Sequence, residues 1–169
     1  KALIDIEIVK AERRVKISDN GTGISTANAT RYLLDIGRSP KRFTNARGFR
    51  GIGRLAGLAY CQTLTFETSM LGEDKRTTVE FNAKALCERL LNDSFDVDLL
   101  SLITDVVSVR VEQEARTNHY FHVVMTGVED TDGILDIEKV RQYLEQVAPI
   151  DFDKEFGWGK IIKSKLRVF

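Results

Sequence analysis

"SDNGTGIS", residues 18–25, places one acidic side chain and two glycines in a bend directly after the apolar, strand-like run "VKIS". Two readings compete for it. An ordinary Asx-type surface turn accounts for the acid by itself. A pocket that reads a ligand through Asp19 and brings its backbone close at Gly21 and Gly23 accounts for the glycines as well. The rest of the chain has to decide between them.

Upstream, "LIDIEIV" alternates Leu3 or Ile4, Ile6 and Ile8 with Asp5 and Glu7, the period of a half-buried strand. "KAERR" turns the chain, and "VKIS" forms a second strand antiparallel to the first. Downstream, Ser25 suits the N-cap of a helix running to about Leu34. "DIGRSPKRFTNARGFRGIG" then follows with no regular period, a long basic loop of the kind that carries function in compact domains. "GRLAGLAYC" reads as an apolar helix from about Gly53. "TLTFETS", "RTTVEFN", "VVSVRVE" and "HYFHVVMTGV" are four further strands, with "LGED" turning between the first two. "AKALCERLL" and "DIEKVRQYLEQVA" are amphipathic helices, the second ended by Pro149. Strands in succession predict the α+β class, a two-layer sandwich on a mostly antiparallel sheet. Residues 1–150 are expected to form one domain. Residues 151–169, where the pattern weakens, are expected to close it or to link it to another.

Composition narrows the function. The chain has 169 residues, 43% hydrophobic and 30% charged, which suits one globular domain. Lys plus Arg and Asp plus Glu both total 25, so a general polyanion binder is disfavoured. The balance is local, however. No acid occurs from Ile36 to Phe66, where Arg38, Lys41, Arg42, Arg47, Arg50 and Arg54 all fall. Cys61 and Cys87 lack metal-ligand spacing and read as buried core thiols of a reducing cytoplasm. His119 and His122, three apart on a strand, face opposite ways and do not suggest a shared metal. Trp158 reads as packing. No apolar run approaches the roughly 18 residues of a membrane span. The chain opens without Met and enters a strand at once, which predicts a piece of a longer protein.

The second glycine-rich stretch supplies the other half of the argument. "GFRGIG", Gly48, Phe49, Arg50, Gly51, Ile52 and Gly53, follows G-x-x-G-x-G. A dinucleotide fold wants G-x-G-x-x-G directly after a strand, and a phosphate-binding Walker loop wants G-K-S or G-K-T; neither is present. Glycines before a helix nonetheless expose successive N–H groups to an anion at its positive end. Six nearby cations favour phosphate. At the other motif, Asp19 can accept from an exocyclic amine such as adenine N6, whereas guanine presents an oxygen there and would be repelled.

This pairing, in this order, resembles the superfamily of gyrase, heat-shock chaperone, histidine kinase and MutL ATPases (GHKL). The resemblance rests on D-x-G-x-G at Asp19–Gly23, then "IGRSPKR", then "GFRGIGRLAGL", and covers residues 1 to about 127. "GRSPK" with "GFRG" is similar to the mismatch-repair MutL form, and G-x-x-G-x-G to the chaperone and gyrase form. The resemblance implies the Bergerat sandwich, with ATP or ADP and Mg²⁺ on the sheet and the basic loop as a lid. It implies that Asp19 binds the adenine amine while Gly21, Gly23 and Ile24 line the adenine site. Gly48, Gly51 and Gly53 would wrap the phosphates with Phe49, Arg50 and Ile52 between them, and Ser39 and Lys41 would reach the phosphates. The family's late-strand threonine would be Thr117, although the usual glycine does not precede it.

One family element has no counterpart. The helix that carries the general-base Glu and the Mg²⁺-binding Asn precedes the first strand, and nothing in "KALIDIEI" matches it. No catalytic residue is therefore assigned, and turnover is expected of the longer protein. The leading expectation is an ATP-binding domain, chaperone-like or MutL-like, in which ATP closes a lid and drives homodimerisation or work on a protein client. Nucleic acid is not the favoured partner, and no membrane is expected. The alternatives are a nucleotide sensor that never hydrolyses and an α+β interaction domain whose glycines are structural.

Overall fold

The computed structural model describes residues 3–34, 53–91 and 104–147. The chain divides into two compact units, Lys1–Asp136 and Ile137–Phe169. Among the described residues, six strands build the first: β1 (Ile4–Val9), β2 (Arg14–Asp19), β3 (Thr63–Ser69), β4 (Lys75–Asn82), β5 (Val107–Gln113) and β6 (Tyr120–Thr126). They form one sheet in the order β1-β2-β6-β3-β4-β5, antiparallel at every step. The expected α+β sandwich is the observed class, and each strand expected from the alternation is present.

The last strand is the keystone. β6 inserts between β2 and β3, so the β1–β2 hairpin joins the sheet only through it. That hairpin turns through a short 3-10 segment, Lys10–Glu12, and exits at Arg13 in the left-handed region (φ 49°). Arg13 Nε then donates to the Val128 carbonyl at 2.8 Å, which pins the turn just beyond the end of β6.

Period two divides the sheet into unlike faces. Val15, Leu64, Phe66, Val79 and Phe81 are buried on one face, with Ile17, Phe121, Val123 and Met125 packed beside them. Phe66 lies edge-on to Phe81 and stacks on Phe121, both with centroids 5.9 Å apart. Helix α1 (Thr26–Leu34) covers this face with Ala29 and Leu33. A 3-10 segment, Gly53–Ala59, adds Leu55 and Leu58. It lies close: a Cβ on Gly57 would stand 3.1 Å from Met125 Sδ and 3.2 Å from Leu64 Cδ1. The expected helix here is a 3-10 one, since Gly53 and Gly57 in seven residues weaken an α-helix.

The opposite face is polar. It carries Arg14–Glu7 at 2.8 Å, Arg76–Glu112 at 2.6 Å and Arg110–Glu80 at 3.2 Å. Such exposed pairs contribute about 0–1 kcal/mol each, so the face is soluble rather than cohesive.

Helix α2 (Ala83–Leu90) begins at an Asn82 cap whose side chain accepts from Ala85 N–H at 2.9 Å. Here the expectation for cysteine is corrected. Cys61 is buried, and Cys87 is exposed. After its first turn α2 loses contact with the core: Ala83 is fully buried, while Leu90 is 62% exposed. Burial, reinforced by Cys87, pushes the Cys61 thiol up to about 11, so it is an unreactive core group. The second unit contributes one described helix, α3 (Ile137–Val147). Trp158 lies outside the described residues.

Phe66→Ala should lower unfolding free energy by about 3–5 kcal/mol, read as a reduced urea midpoint at an unchanged slope. A second expectation concerns His122, on the polar face, whose Nδ1 lies 3.4 Å from Glu67 Oε2 and whose ring stacks on Tyr120 at 4.1 Å. Burial, then Lys16, hold its pKa below the ordinary 6.5, against the pull of Glu67 and Asp19. An imidazole that protonates less readily when folded leaves more protons on the unfolded chain, so stability falls as pH drops through that value. The urea midpoint should decline between about pH 7 and about pH 5.5, and less steeply in His122→Gln.

Candidate functional site

Asp19 is the last residue of β2, paired with Phe121. Strand parity turns it toward the helix-covered face with Val15 and Ile17, and at the sheet's margin it is half-buried. Its Oδ1 accepts the Gly21 N–H at 2.8 Å. The Asx-type turn is therefore real. It does not exhaust the group, because a carboxylate offers about four acceptor positions. The neighbouring Asn20 anchors the bend to β1, its Oδ1 accepting Leu3 N–H at 2.8 Å.

Gly21 is held from the far side. Its carbonyl lies 2.8 Å from His119 Nδ1. A carbonyl only accepts, so Nδ1 carries the hydrogen. The β2–β6 register, continued two residues past Asp19 and Phe121, sets Gly21 opposite His119.

Gly23 has a structural necessity of its own. It adopts φ +70°, and a Cβ there would lie 1.8 Å from the Ser69 carbonyl oxygen and 3.1 Å from that of Tyr120. The chain crosses the ends of β3 and β6 with no room for any side chain. Immediately afterwards Ile24 N–H donates to Thr68 Oγ1 at 2.8 Å, and the Thr68 hydroxyl donates to the Tyr120 carbonyl at 3.1 Å. Thr68 is only 1% exposed, so this relay runs in a dry setting where hydrogen bonds are strongest.

Helix α1 then starts against an acid from elsewhere. Thr26 N–H donates to Glu73 Oε2 at 2.9 Å, which sets a carboxylate at the helix's positive end. The expected N-cap role of Ser25 takes another form: its hydroxyl oxygen accepts from the Asn28 side chain at 2.9 Å. The β5–β6 connection is braced as well. Tyr120 Oη donates to Glu114 Oε2 at 2.8 Å, and Asn118 Nδ2 donates to Glu114 Oε1 at 3.2 Å. Burial pushes the Glu114 carboxyl up, but Tyr120, Asn118, Ser69 and Arg76 outweigh it and hold it below the ordinary range. Burial and Glu114 push the Tyr120 hydroxyl up to about 12.

Asp19, Gly21, Gly23 and Ile24 are thus gathered at one sheet margin. Gly53 opens the 3-10 segment, exposed. Arg54 beside it donates through Nε to the Leu33 carbonyl at 3.1 Å, at the negative end of α1. Ile24, Leu55 and Leu58 pack against the same core, so the bend after β2 and the 3-10 segment that Gly53 opens share one face of the sheet. Ser39, Lys41, Gly48, Phe49, Arg50, Gly51 and Ile52 lie outside the described residues. Thr117 stands in an exposed turn two residues before His119. Among the described residues no cluster of three metal-ligating side chains occurs. His119, Thr68 and Glu73 were not expected from the sequence. No local signal places His119 opposite the bend, because that depends on β6 pairing with β2.

An antiparallel sheet covered on one face, with an acid closing a strand and a glycine-led segment over the same face, is the architecture of a GHKL-type ATP-binding domain. The family model described as histidine kinase-, DNA gyrase B-, and HSP90-like ATPase matches residues 2–119, and the chain belongs to that family. The match takes in the bend, the basic loop, the glycine stretch and β1 through β5. No curated protein matches the chain. No described helix is long and apolar enough to cross a membrane.

Gly23→Ala should cost about 2–4 kcal/mol in chemical denaturation, because only backbone stands in its way. Gly21→Ala meets the movable Asp19 carboxylate at 2.6 Å and should cost no more than about 1 kcal/mol.

Proposed function

We propose that this domain binds ATP and ADP with the adenine amine on Asp19 and the phosphates toward Gly48, Gly51 and Gly53. The observation that carries the reading is the placement of Asp19: half-buried, turned to the covered face, and with one hydrogen bond among the described residues, from Gly21 N–H. A carboxylate in that position accepts an amine and repels a carbonyl, which selects adenine over guanine. His119 and the Thr68 relay fix the backbone around it, so the acceptor is oriented before any ligand arrives.

Mg²⁺ would accompany the nucleotide phosphates, and the bound triphosphate would supply the energy of its anhydride bond. The domain's own residues bind and orient. Within the family, the paired glycine stretches support a conformational device in which ATP closes the basic loop as a lid. A chaperone-like role on a protein client, with homodimerisation, fits the zero net charge better than a dedicated nucleic-acid clamp. A cytoplasmic setting fits the buried thiol of Cys61. One observation favours the rival in which the bend is purely structural: the Asx bond and the packing of Gly23 explain both residues with no ligand present.

Titration with ADP and Mg²⁺ separates the two. At 100 times its Kd a specific ligand stabilises by about 2.7 kcal/mol, read as a raised thermal midpoint. GDP should give a far smaller rise. Asp19→Asn keeps an oxygen for Gly21 N–H but sets an amide NH₂ against the adenine amine. It should leave unfolding within about 1 kcal/mol and weaken ADP at least about tenfold by calorimetry. Unaltered ADP affinity in that variant would remove Asp19 from the site, and no shift at millimolar ADP would favour the structural reading.

A further inference from the structure

The outer margin of β5 carries an unused set of contacts. β5 ends the sheet, and among the described residues no strand pairs with its far side. Its burial confirms the opening: every residue from Ser108 to Gln113 is exposed, with Val109 at 41% and Val111 at 50%. Soluble proteins blunt such margins with proline, charged side chains, bulges or very short strands, because unpaired N–H and C=O groups template further pairing. "VSVRVEQ" has no proline and no bulge, and its two charges, Arg110 and Glu112, are of opposite sign and each already paired with β4. It is seven residues long, in unbroken register with β4.

Which backbone groups point outward follows from one bond. Glu114 N–H donates to the Asp74 carbonyl at 2.9 Å, in line with the β4–β5 register. Bonded and non-bonded pairs alternate along an antiparallel ladder. Ser108, Arg110 and Glu112 therefore bond to β4, and Val107, Val109, Val111 and Gln113 direct their N–H and C=O away from it.

We infer that a second copy of this chain pairs with β5, antiparallel, about a two-fold axis through Val111. An axis through any one residue of β5 places outward groups opposite outward groups and keeps like faces together, and the central ones, through Val109, Arg110 and Val111, differ in the side chains they oppose. Centring on Arg110 opposes two arginines, which is repulsive. Centring on Val109 sets Arg110 against Ser108. Centring on Val111 sets Val111 on itself and Arg110 opposite Glu112 of the second copy, twice. Arg110 already pairs with Glu80 and Glu112 with Arg76, and their side chains are 57% and 54% exposed. The seam would thus carry two runs of alternating charge, arginine–glutamate–arginine–glutamate, on the polar face, while Val111 meets Val111 of the second copy on the other, flanked by Val109 opposite Gln113. An isologous contact of this kind closes on itself and does not propagate. The pairing uses nothing at the Asp19 margin and needs no nucleotide.

The test is sedimentation of the 169-residue chain without nucleotide, up to about 100 µM, where small interfaces assemble. A concentration-dependent dimer is expected. Val111→Pro removes only an outward N–H and is compatible with an edge strand, so it should stay folded by circular dichroism and sediment as a monomer. Arg110→Glu and Glu112→Arg should each weaken the dimer at least about tenfold, and the double exchange should recover part of the loss, since opposite charges again face each other across the seam while Glu80 and Arg76 stand beside like charges within each copy. A chain monomeric throughout, a dimer untouched by a folded Val111→Pro, or a double exchange no better than the singles would each overturn the inference. Dimerisation seen only with ATP would do the same, and would leave the nucleotide reading intact.

Discussion

The crossing of Gly23 over the ends of β3 and β6 is the constraint on which the rest depends. Beyond Asp19 the chain must leave the sheet, reverse, and start α1 on the covered face. It does so through a gap so narrow that the Ser69 carbonyl excludes even a methyl group. The Thr68 hydroxyl then joins the departing strand to Tyr120, so three strands agree on where the bend lies. Because the bend is placed by backbone contacts, Asp19 is oriented by the fold and not by its own side-chain preferences.

That arrangement also explains why Asp19 is at a margin. The middle of the covered face is filled by Phe66, Phe81 and Phe121, which leave no polar opening. Where β2 stops and α1 has not begun, the sheet presents the Asp19 carboxylate beside backbone. The other face, ruled by ion pairs and the His122–Glu67 contact, offers charge without enclosure.

Much of this was legible in the sequence because the signals were local. Alternation in "LIDIEIV" and "TLTFETS" placed strands, and the glycines marked the bend after β2 and, at Gly53, the head of the 3-10 segment. What escaped was everything set by strand order. That β6 lies between β2 and β3 cannot be read from spacing, and His119 and Thr68 owe their positions to it. Glu73 reaches α1 from a turn 47 residues away in sequence. Cys87 misled because apolar text usually means core, yet α2 touches the core only with its first turn. Gly23 was singled out for a ligand, and the reason the structure supplies for it is packing.

The bond from His119 to Gly21 has a bearing on how the two halves of the margin depend on each other. It ties residues 98 positions apart in sequence through a rigid ring whose donor is Nδ1. Losing it would release the Gly21 carbonyl while leaving the Gly21 N–H on the Asp19 carboxylate, so the clasp from β6 and the turn at Asp19 are separate holds on one short piece of backbone.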